Sequence, residues 1–547
     1  MHSILGRYRA LLMGMVAGVG LIAWSSTSNA QRVGRAERSP TTAPTAPAET
    51  PETAAPEPGA RRGRGGRGGL TVAPTQETVD ETPVVTHHTI TIDGKELKYT
   101  ATVAQMPLKN AAGDTEAHIF YMAYTLDDAD HAKRPLTFAF NGGPGSASLW
   151  VHMGAMGPKR TKLNDDGTMP APPFKLVDND QTWLQFTDLV FIDPVGTGFS
   201  RAKSTDVARR MNGVQGDLQS VTEFIRMYLT RNDRFLSPLF IAGESYGTFR
   251  AAGLAGTLLN SGFAVNGIVL ISTILDYGVV RTNERNPIAN ALLLPTFTAD
   301  AWYHKKLDAD LQKDLQSALR ESEKWAMGGY LDALTKGDAL SKEERDTAIK
   351  TTARLTGLST KYVDESDLRV DVGHFTRELL RDQRLTIGRY DGRITGPSPM
   401  DAGEVAENDP SEAAVKAPFT SAFLHYVHSD LKYKTDETYY ALGGGIMPWD
   451  FGRPNSYAET TSLLQSAFTQ NAHLKVLVCA SYFDLATPFF SAQYTLNHMG
   501  IHPDRQKDIK WVYYESGHMM YIEKNSRAKL HDDVKQFEES NSPKGEE

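Results

Sequence analysis

The sequence predicts an α/β protein with a mostly parallel, twisted sheet, helices on both faces and a mainly helical insertion. Strand-like and helix-like segments alternate in two blocks, residues 81–276 and 456–540, and this order is typical of parallel sheets covered on both faces. Between them, in residues 277–455, leucines recur every fourth residue, which is a helical period. The third observation is a serine between two glycines, residues 243–247, where a predicted strand meets a predicted helix.

The first block changes in character along its length. Its early segments alternate apolar and polar residues around an Asp93-Gly94 turn, which predicts antiparallel hairpins at a sheet edge. Its later apolar runs, separated by helix-like stretches, predict inner parallel strands. The predicted strands are residues 84–92, 96–103, 118–124, 136–140, 188–192, 238–242 and 267–272, and the predicted helices are residues 214–229 and 248–260.

Helices dominate the predicted insertion, or cap. One helical stripe is formed by Leu307, Leu311, Leu315 and Leu319. Ser341 and Glu344 form a capping-box pair at the start of a further helix. Other helices are predicted near residues 375–380 and 422–431, and a long loop at residues 392–410.

The second block resumes the order of strands and helices. Strands are predicted at residues 474–480 and 509–514, followed by a closing helix to about residue 538 and a disordered tail at residues 541–547.

Residues 1–30 have the pattern of a secretory signal peptide. Arg7 and Arg9 precede an apolar run at residues 10–24, and small residues occupy the cleavage positions in Ser28-Asn29-Ala30. The run is short for a membrane span of about twenty residues. We therefore expect export to the periplasm or the extracellular medium, with no stable membrane insertion after cleavage.

Residues 31–80 are rich in Pro, Ala, Thr and Glu and contain an Arg/Gly run, so they predict a disordered leader. Arg/Gly runs bind RNA in some cytoplasmic proteins, but behind a signal peptide a flexible cationic tether is the simpler interpretation. The net charge of −8 also argues against nucleic acid as a partner. The single cysteine, Cys479, permits no intrachain disulfide, so a large packed core must provide the stability.

Ser245 lies in the sequence Gly-Glu-Ser-Tyr-Gly, residues 243–247, after an apolar run. A serine hydroxyl becomes a useful nucleophile when it projects from a sharp strand-to-helix turn toward a base. Gly243 and Gly247 permit such a turn because a side chain at either position would collide with a neighbouring element. We predict that Ser245 is a catalytic nucleophile.

A serine nucleophile needs a base and an acid that orients the base. His518 follows the last predicted strand, in a loop made tight by Gly517, and Asp484 follows the strand before it. The chain order Ser245, Asp484, His518 is that of an α/β-hydrolase triad.

A glycine-rich loop, Asn-Gly-Gly-Pro-Gly at residues 141–145, follows another predicted strand. It lacks the lysine and the spacing of a nucleotide-binding loop. In a hydrolase, the main-chain N–H groups of Gly143 and Tyr246 can form an oxyanion hole, which contributes about 3–4 kcal/mol per donor to the transition state.

These motifs resemble those of the serine carboxypeptidase family of α/β-hydrolases, in an exported bacterial member. The matching segments are residues 141–145, Ile-Asp-Pro-Val-Gly-Thr-Gly-Phe-Ser at 192–200, residues 243–247, and Gly-His-Met at 517–519. The resemblance implies release of one amino acid from the free C-terminus of a peptide, through an acyl-enzyme on Ser245. No metal or organic cofactor is needed for this chemistry.

The resemblance also implies a receptor for the substrate's terminal carboxylate, formed by the Asn141 side chain, the Gly142 N–H and the Glu244 carboxyl group. Glu244 can bind a carboxylate only while it is protonated, because like charges repel, so we expect the best peptidase efficiency at acid pH. An alternative role for Glu244 is a buried carboxyl group that braces the turn.

Three residues depart from the family pattern. Ala155 stands where a second glutamate commonly pairs with the first, Ala139 where a tryptophan is frequent, and Ser146 where a cysteine is usual. His152 can either supply a replacement polar group or be solvated. The incomplete receptor makes an esterase, an acyltransferase or a serine peptidase with altered carboxylate recognition the main alternative.

Other interpretations have less support. A non-catalytic envelope binding protein of this fold is disfavoured because nucleophile, base, acid and oxyanion loop are all present. His425 and His428 are spaced for a metal but lack a third ligand, so surface or core histidines are the simpler interpretation. The oligomeric state stays open. Five aromatic residues are candidates for lining a substrate pocket: Trp150, Trp302, Tyr303, Trp325 and Trp449.

Overall fold

The computed structural model of the chain describes residues 75–542, apart from 77, 78, 445, 447, 453 and 454. The predicted signal peptide, nearly all of the predicted leader and the end of the predicted tail lie outside the described residues. Among the described residues, no helix combines the length and apolar character needed to cross a bilayer.

The β-strands of the described part are numbered here in chain order. They are β1 (Val84–Ile92), β2 (Lys95–Lys109), β3 (Thr115–Leu126), β4 (Leu136–Phe140), β5 (Lys159–Lys162), β6 (Lys175–Asp178), β7 (Asp188–Ile192), β8 (Arg201–Ala202), β9 (Leu239–Ser245), β10 (Gly267–Thr273), β11 (Leu385–Ile387), β12 (Thr395–Pro397), β13 (Lys475–Ser481) and β14 (Ile509–Tyr514).

The α-helices of the same part are numbered likewise. They are α1 (Leu149–Val151), α2 (Thr205–Met211), α3 (Val214–Asn232), α4 (Tyr246–Asn260), α5 (Pro287–Tyr303), α6 (Leu315–Trp325), α7 (Leu331–Lys336), α8 (Lys342–Thr356), α9 (Thr360–Glu365), α10 (Val372–Glu378), α11 (Pro410–His425), α12 (Thr461–Gln470), α13 (Phe489–Asn497) and α14 (Lys524–Asn541). Short 3-10 or π-helical turns connect several of them, among them His152–Met156, Leu311–Lys313, Tyr426–Asp430 and Met520–Ile522.

The central sheet has the strand order β1-β2-β3-β7-β4-β9-β10-β13-β14, and β8 pairs with β3. Across the sheet, the first four strands in this order, β1, β2, β3 and β7, pair antiparallel with one another. The strands β7, β4, β9, β10, β13 and β14 are parallel to one another. The predicted mostly parallel sheet with an antiparallel hairpin edge is confirmed. Because β9, β13 and β14 are parallel, the loops that carry Ser245, Asp484 and His518 leave the sheet at the same edge.

The sheet is buried because both of its faces carry large side chains. Every residue of β4, β7 and β10 is buried, and the core is divided between two apolar clusters. One cluster includes residues of α3, α4 and α12, and the other includes residues of α11 and α14. Close packing of α4 depends on its small residues, since a Cβ at Gly256 would lie 2.9 Å from the carbonyl oxygen of Leu463.

Helices α5 to α11 form the insertion between β10 and β13. Helices α5 to α10 share an apolar cluster of their own, whereas α11 packs into the core of the sheet. The predicted leucine stripe is not one helix. Leu307 and Leu311 precede α6, which begins at Leu315 because the Asp314 side chain accepts a hydrogen bond from the Ser317 N–H. The Ser341–Glu344 capping box starts α8 as predicted, and the predicted loop at residues 392–410 contains the short strand β12.

Candidate active site

Ser245 occupies a sharp turn between β9 and α4. Its φ and ψ angles are 60° and −129°, a conformation that costs a residue with a side chain on the order of 1–3 kcal/mol. The flanking glycines permit the turn, as predicted. A Cβ at Gly243 would lie 2.1 Å from the carbonyl oxygen of Gly247, and a Cβ at Gly247 would lie 2.9 Å from the carbonyl oxygen of Phe140.

His518 and Asp484 form a buried hydrogen-bonded pair after β14 and β13. His518 Nδ1 lies 2.9 Å from Asp484 Oδ2, and the two side chains are 4% and 0% exposed. The carboxylate is held by the N–H groups of Ala486 and Thr487 at 2.8 and 2.9 Å and by the Thr487 hydroxyl at 2.7 Å. This leaves Asp484 oriented toward the imidazole.

The loop that carries His518 is fixed by residues that sequence reasoning missed. The His518 N–H donates to the carbonyl oxygen of Tyr390 at 2.5 Å, and the Ser272 hydroxyl donates to the carbonyl oxygen of His518 at 2.6 Å. The Tyr390 ring stacks on the imidazole at 5.2 Å between centroids. A Cβ at Gly517 would lie 2.4 Å from the Tyr390 carbonyl oxygen. Tyr390 comes from the insertion, and no sequence motif marks it.

The electrostatics of His518 suit a base. Burial alone would lower its pKa, but the charge of Asp484 and the hydrogen bond to it raise the pKa above the ordinary value. His518 Nε2, on the opposite side of the ring from Nδ1, is the atom that can accept a proton from Ser245. Ser245 and His518 line one cavity. In the part of the chain that the structure describes, their side chains are not hydrogen-bonded to each other, and a catalytic hydrogen bond of this kind tightens when substrate binds.

The glycine-rich loop after β4 lies directly against the turn at Ser245. A Cβ at Gly142 would lie 2.3 Å from the Tyr246 nitrogen, and Gly143 has a φ of 101°, a backbone conformation that favours glycine. Tyr246 is the first residue of α4, so its N–H has no acceptor within the helix. The structure thus places the Gly142 main chain against the Tyr246 nitrogen, and the next residue, Gly143, lines the same cavity as Ser245.

Asn141 and Glu244 lie side by side under this loop. Asn141 Oδ1 accepts from the N–H groups of Trp150 and Val151 at 3.1 and 3.0 Å, and its buried Nδ2 has no hydrogen-bond partner among the residues that the structure describes. The amide is therefore left free to donate to a bound substrate. Glu244 is 4% exposed, and Tyr521 donates its hydroxyl hydrogen to Glu244 Oε2. Burial raises the pKa of Glu244 to about 7, against the opposing effects of His518, of the hydrogen bond from Tyr521 and of the neighbouring Asn141 side chain.

One cavity unites the predicted site residues with side chains from the insertion. Besides Asn141, Gly142, Gly143, Glu244, Ser245 and His518, its lining includes Ser146, Trp150, Arg389, Tyr390, Glu412, Val415, Leu442 and Met519. Trp150 is thus the one candidate pocket aromatic that lines this cavity. Trp449 packs instead against the ring of Tyr246 at 5.5 Å, and Trp302 and Trp325 pack against the core of the insertion.

The departures from the family pattern are buried. Ala139 and Ala155 are 0% and 2% exposed. Ser146 accepts a hydrogen bond from Trp150 Nε1 at 2.9 Å.

Neither expectation for His152 is correct. It is fully buried, donates to or accepts from the Tyr124 hydroxyl at 2.8 Å, and stacks on Phe191. Burial lowers its pKa to about 3, which makes it a neutral core residue.

The sheet order, the sharp turn at the serine and the convergence of Ser245, Asp484 and His518 at one edge define an α/β-hydrolase. A family model described as serine carboxypeptidase matches residues 108–531, which is more than half of the 547-residue chain. The chain therefore belongs to the serine carboxypeptidase family, a family of serine hydrolases.

Several curated relatives are similar over part of their length. Serine carboxypeptidase-like 13 from Arabidopsis thaliana is 26% identical over 168 residues, 30% of this chain and 37% of that protein. The pheromone-processing carboxypeptidase KEX1 from Saccharomyces cerevisiae is 30% identical over 167 residues, 28% of this chain and 22% of that protein. The retinoid-inducible serine carboxypeptidase from Mus musculus is 32% identical over 146 residues, 26% of this chain and 29% of that protein. The chain therefore spans well under half the length of these relatives.

Solved structures are similar at a lower level. Proline iminopeptidase from Mycobacterium smegmatis is 15% identical, with a TM-score of 0.34 over 80% of this chain and 98% of that chain. A peroxisomal α/β-hydrolase from Saccharomyces cerevisiae is 11% identical, with a TM-score of 0.36 over 82% and 92%. Similarity at this level adds no argument about activity.

Proposed function

We propose that this protein is an exported serine-type carboxypeptidase that releases C-terminal amino acids from peptides through an acyl-enzyme on Ser245. The observation that carries the proposal is a single cavity lined by a strained serine, a glycine loop, a buried carboxyl group and His518, the histidine of a buried His–Asp pair. Membership of the serine carboxypeptidase family supports the same conclusion. The export part of the proposal rests on the sequence of residues 1–30.

In the proposed acylation step, Ser245 Oγ attacks the carbonyl carbon of the last peptide bond while His518 Nε2 takes the hydroxyl proton. The N–H groups of Gly143 and Tyr246 stabilise the oxyanion that forms, by about 3–4 kcal/mol per donor. His518 then gives the proton to the leaving amine, and the C–N bond breaks. Asp484 keeps the imidazole in the tautomer with hydrogen on Nδ1 and stabilises its protonated form.

In the proposed deacylation step, a water molecule takes the place of the released amino acid. His518 accepts a proton from the water, whose oxygen attacks the acyl carbon, and then returns the proton to Ser245 Oγ as the ester bond breaks. The products are the shortened peptide and the regenerated enzyme, and the atoms balance without a cofactor.

Recognition of the free C-terminus is assigned to Asn141, Gly142 and Glu244. The raised pKa of Glu244, about 7, supports this role, because a neutral carboxyl group can donate to the substrate carboxylate without like-charge repulsion. The role as a structural brace is less favoured, since Glu244 lines the cavity beside Ser245.

A second candidate function is an esterase or acyltransferase of the same fold. It is favoured by Ala155, which leaves the family's second carboxyl group absent from the receptor. The two functions differ in whether the free carboxylate of the substrate is required.

The test compares an N-blocked dipeptide with its C-terminal amide and with a small ester. We expect hydrolysis of the free acid with a kcat/KM at least about ten-fold above that of the amide, since a buried polar group left unpaired costs that much or more. The intact protein should react with a fluorophosphonate, and Ser245→Ala should not. Equal rates on acid and amide would favour the esterase, and labelling that survives Ser245→Ala would exclude Ser245 as the nucleophile.

A further inference from the structure

Glu244 is hydrogen-bonded to a buried tyrosine, Tyr521, which belongs to none of the sequence motifs that predicted the site. Tyr521 lies in the turn Met520–Ile522, three residues after His518, and is 0% exposed. Its hydroxyl group donates a hydrogen bond to Glu244 Oε2. This bond joins the loop of the proposed base to the residue that precedes the proposed nucleophile.

The position of Tyr521 is fixed on several sides. Its ring packs so closely against Gly154 that a Cβ there would lie 2.5 Å from the ring. Its carbonyl oxygen accepts from Arg527 Nη1 at 3.4 Å. The turn His152–Met156, which carries Ala155, contacts the turn that carries Tyr521. Gly154 therefore leaves room for the tyrosine ring next to Ala155, the position at which the family pattern has a second acid.

The direction of the Tyr521 bond determines which oxygen of Glu244 can carry a proton. A protonated carboxyl group has one O–H donor, and its other oxygen is an acceptor. Because Oε2 accepts from Tyr521, the proton of neutral Glu244 is placed on Oε1. Glu244 lines the cavity, so Oε1 is the oxygen available to a substrate carboxylate.

None of the other described groups around Glu244 donates a hydrogen bond to Oε2 in place of Tyr521. His518 and Asp484 act on Glu244 through charge, and the Asn141 amide beside it makes no hydrogen bond among the residues that the structure describes. Burial and the neighbouring Glu244 raise the pKa of Tyr521 well above its ordinary value, so Tyr521 remains a neutral donor throughout the working pH range. A second carboxyl group would instead share a proton with Glu244 and titrate with it as a pair.

We propose that Tyr521 is a positioning residue that takes the place of the second acid in the carboxylate receptor and holds Glu244 with its proton facing the substrate's C-terminal carboxylate. The inference rests on the proposed function. Its consequence is an alkaline limb of activity governed by Glu244 as a single acid, with its position set in part by the Tyr521 hydrogen bond.

The main test is Tyr521→Phe in the full chain, assayed on an N-blocked dipeptide and on its C-terminal amide. Loss of the hydroxyl should raise KM for the free acid roughly ten-fold, because Glu244 is then no longer held to donate to the charged substrate carboxylate, and one hydrogen bond to a charged group is typically worth about that much. The amide reaction should be nearly unchanged. The alkaline limb of kcat/KM should move to higher pH, because the hydrogen bond that favours the Glu244 carboxylate is gone. Tyr330→Phe is the matched control, since that buried hydroxyl donates to the Leu368 carbonyl oxygen within the insertion.

A second variant keeps the side chain and the packing. Incorporation of 3-fluorotyrosine in place of Tyr521 makes the phenol a stronger donor, and the alkaline limb should then move to lower pH. The inference would be overturned if Tyr521→Phe lost the same factor in kcat/KM on the free acid and on the amide. It would also be overturned if the alkaline limb of the pH profile moved in neither variant. The wild-type enzyme is assayed first. If it hydrolyses the free-acid dipeptide and its C-terminal amide equally well, the proposed function fails rather than this inference.

Discussion

Arg250 Nη1 donates a hydrogen bond to the carbonyl oxygen of Asn141 at 2.8 Å. Arg250 lies one turn into α4, after Ser245, and Asn141 begins the glycine-rich loop, so this bond fixes two parts of the proposed site to each other. The same guanidinium group contacts both oxygens of Asp217, with Nε to Oδ2 at 2.9 Å, and the two side chains are 1% and 2% exposed. The alignment of the glycine-rich loop with the proposed nucleophile thus depends on a buried ion pair.

We predict that Arg250→Met destabilises the protein by about 3–5 kcal/mol, because it leaves the charge of Asp217 buried without a partner. Equilibrium unfolding in urea measures the loss. The double variant Arg250→Met with Asp217→Asn should recover part of it. The matched control is Arg226→Met, which breaks an exposed pair with Glu223 and should cost less than about 1 kcal/mol. Equal losses in the two single variants would contradict the prediction.

The parts of the fold and site that the sequence could predict are those encoded in contiguous segments. The apolar run at residues 136–140 became β4 with the predicted limits, because a strand buried on both faces must be apolar throughout. The residues around Ser245, Asp484 and His518 could be found because glycines and strand ends mark them locally.

The features that the sequence did not predict depend on contacts between residues that are far apart in the chain. Tyr390, whose carbonyl oxygen accepts from the His518 N–H, belongs to a helical insertion whose packing no local pattern encodes. The leucine spacing at residues 307–319 has a helical period, but Asp314 is the N-cap of α6 and the helix therefore begins only at Leu315. His152 was ambiguous because burial, which makes it neutral, is a tertiary property.

Activity toward peptides with a free carboxylate should fall as pH rises through about 7, the pKa to which burial raises Glu244. Above this pH Glu244 is ionised and repels the substrate carboxylate. The amide substrate, which carries no such charge, should not show this fall, and Glu244→Gln should abolish it on the free acid. The kcat/KM of both substrates between about pH 4 and about pH 9 measures the effect. Glu284→Gln, an exposed glutamate, is the control, and identical profiles for acid and amide would contradict the prediction.

The contribution of the buried carboxyl groups to stability should decrease as pH rises from about 4.5 to about 8. Glu538 is fully buried and accepts from the Thr137 hydroxyl at 2.9 Å, and burial raises its pKa from 4.5 to about 8. A raised carboxyl pKa means that the folded state binds the proton more tightly, so stability is greatest below the unfolded pKa and is lost as pH approaches the folded pKa. Asp193, whose pKa burial raises to about 7, acts in the same direction.

The free energy of unfolding at pH 5 and at pH 8, measured in urea, tests this prediction. Glu538→Gln keeps the shape without the charge, so it should lose less stability between the two pH values than wild type does. Glu284→Gln, on the surface, should behave as wild type. If Glu538→Gln shows the same pH dependence as wild type, Glu538 is not responsible.

Arg389 should influence which peptides are accepted. Among the cavity-lining residues that the structure describes, it is the one Arg or Lys, and its side chain is exposed at the mouth of the cavity near His518. Its positive charge should attract acidic side chains beside the scissile bond, by up to about 1 kcal/mol for an exposed pair, or roughly five-fold in kcat/KM. Arg389→Gln should therefore lower activity on peptides with Asp or Glu beside the scissile bond, relative to peptides with Asn or Gln there. The effect should shrink in high salt because the charge is exposed.

Digestion of a peptide library that varies both residues at the scissile bond, read by mass spectrometry, identifies the position concerned. Arg285→Gln, an exposed arginine outside the cavity lining, should leave the ratio of acidic to neutral substrates unchanged, and a ratio equally unchanged in Arg389→Gln would remove Arg389 from substrate selection.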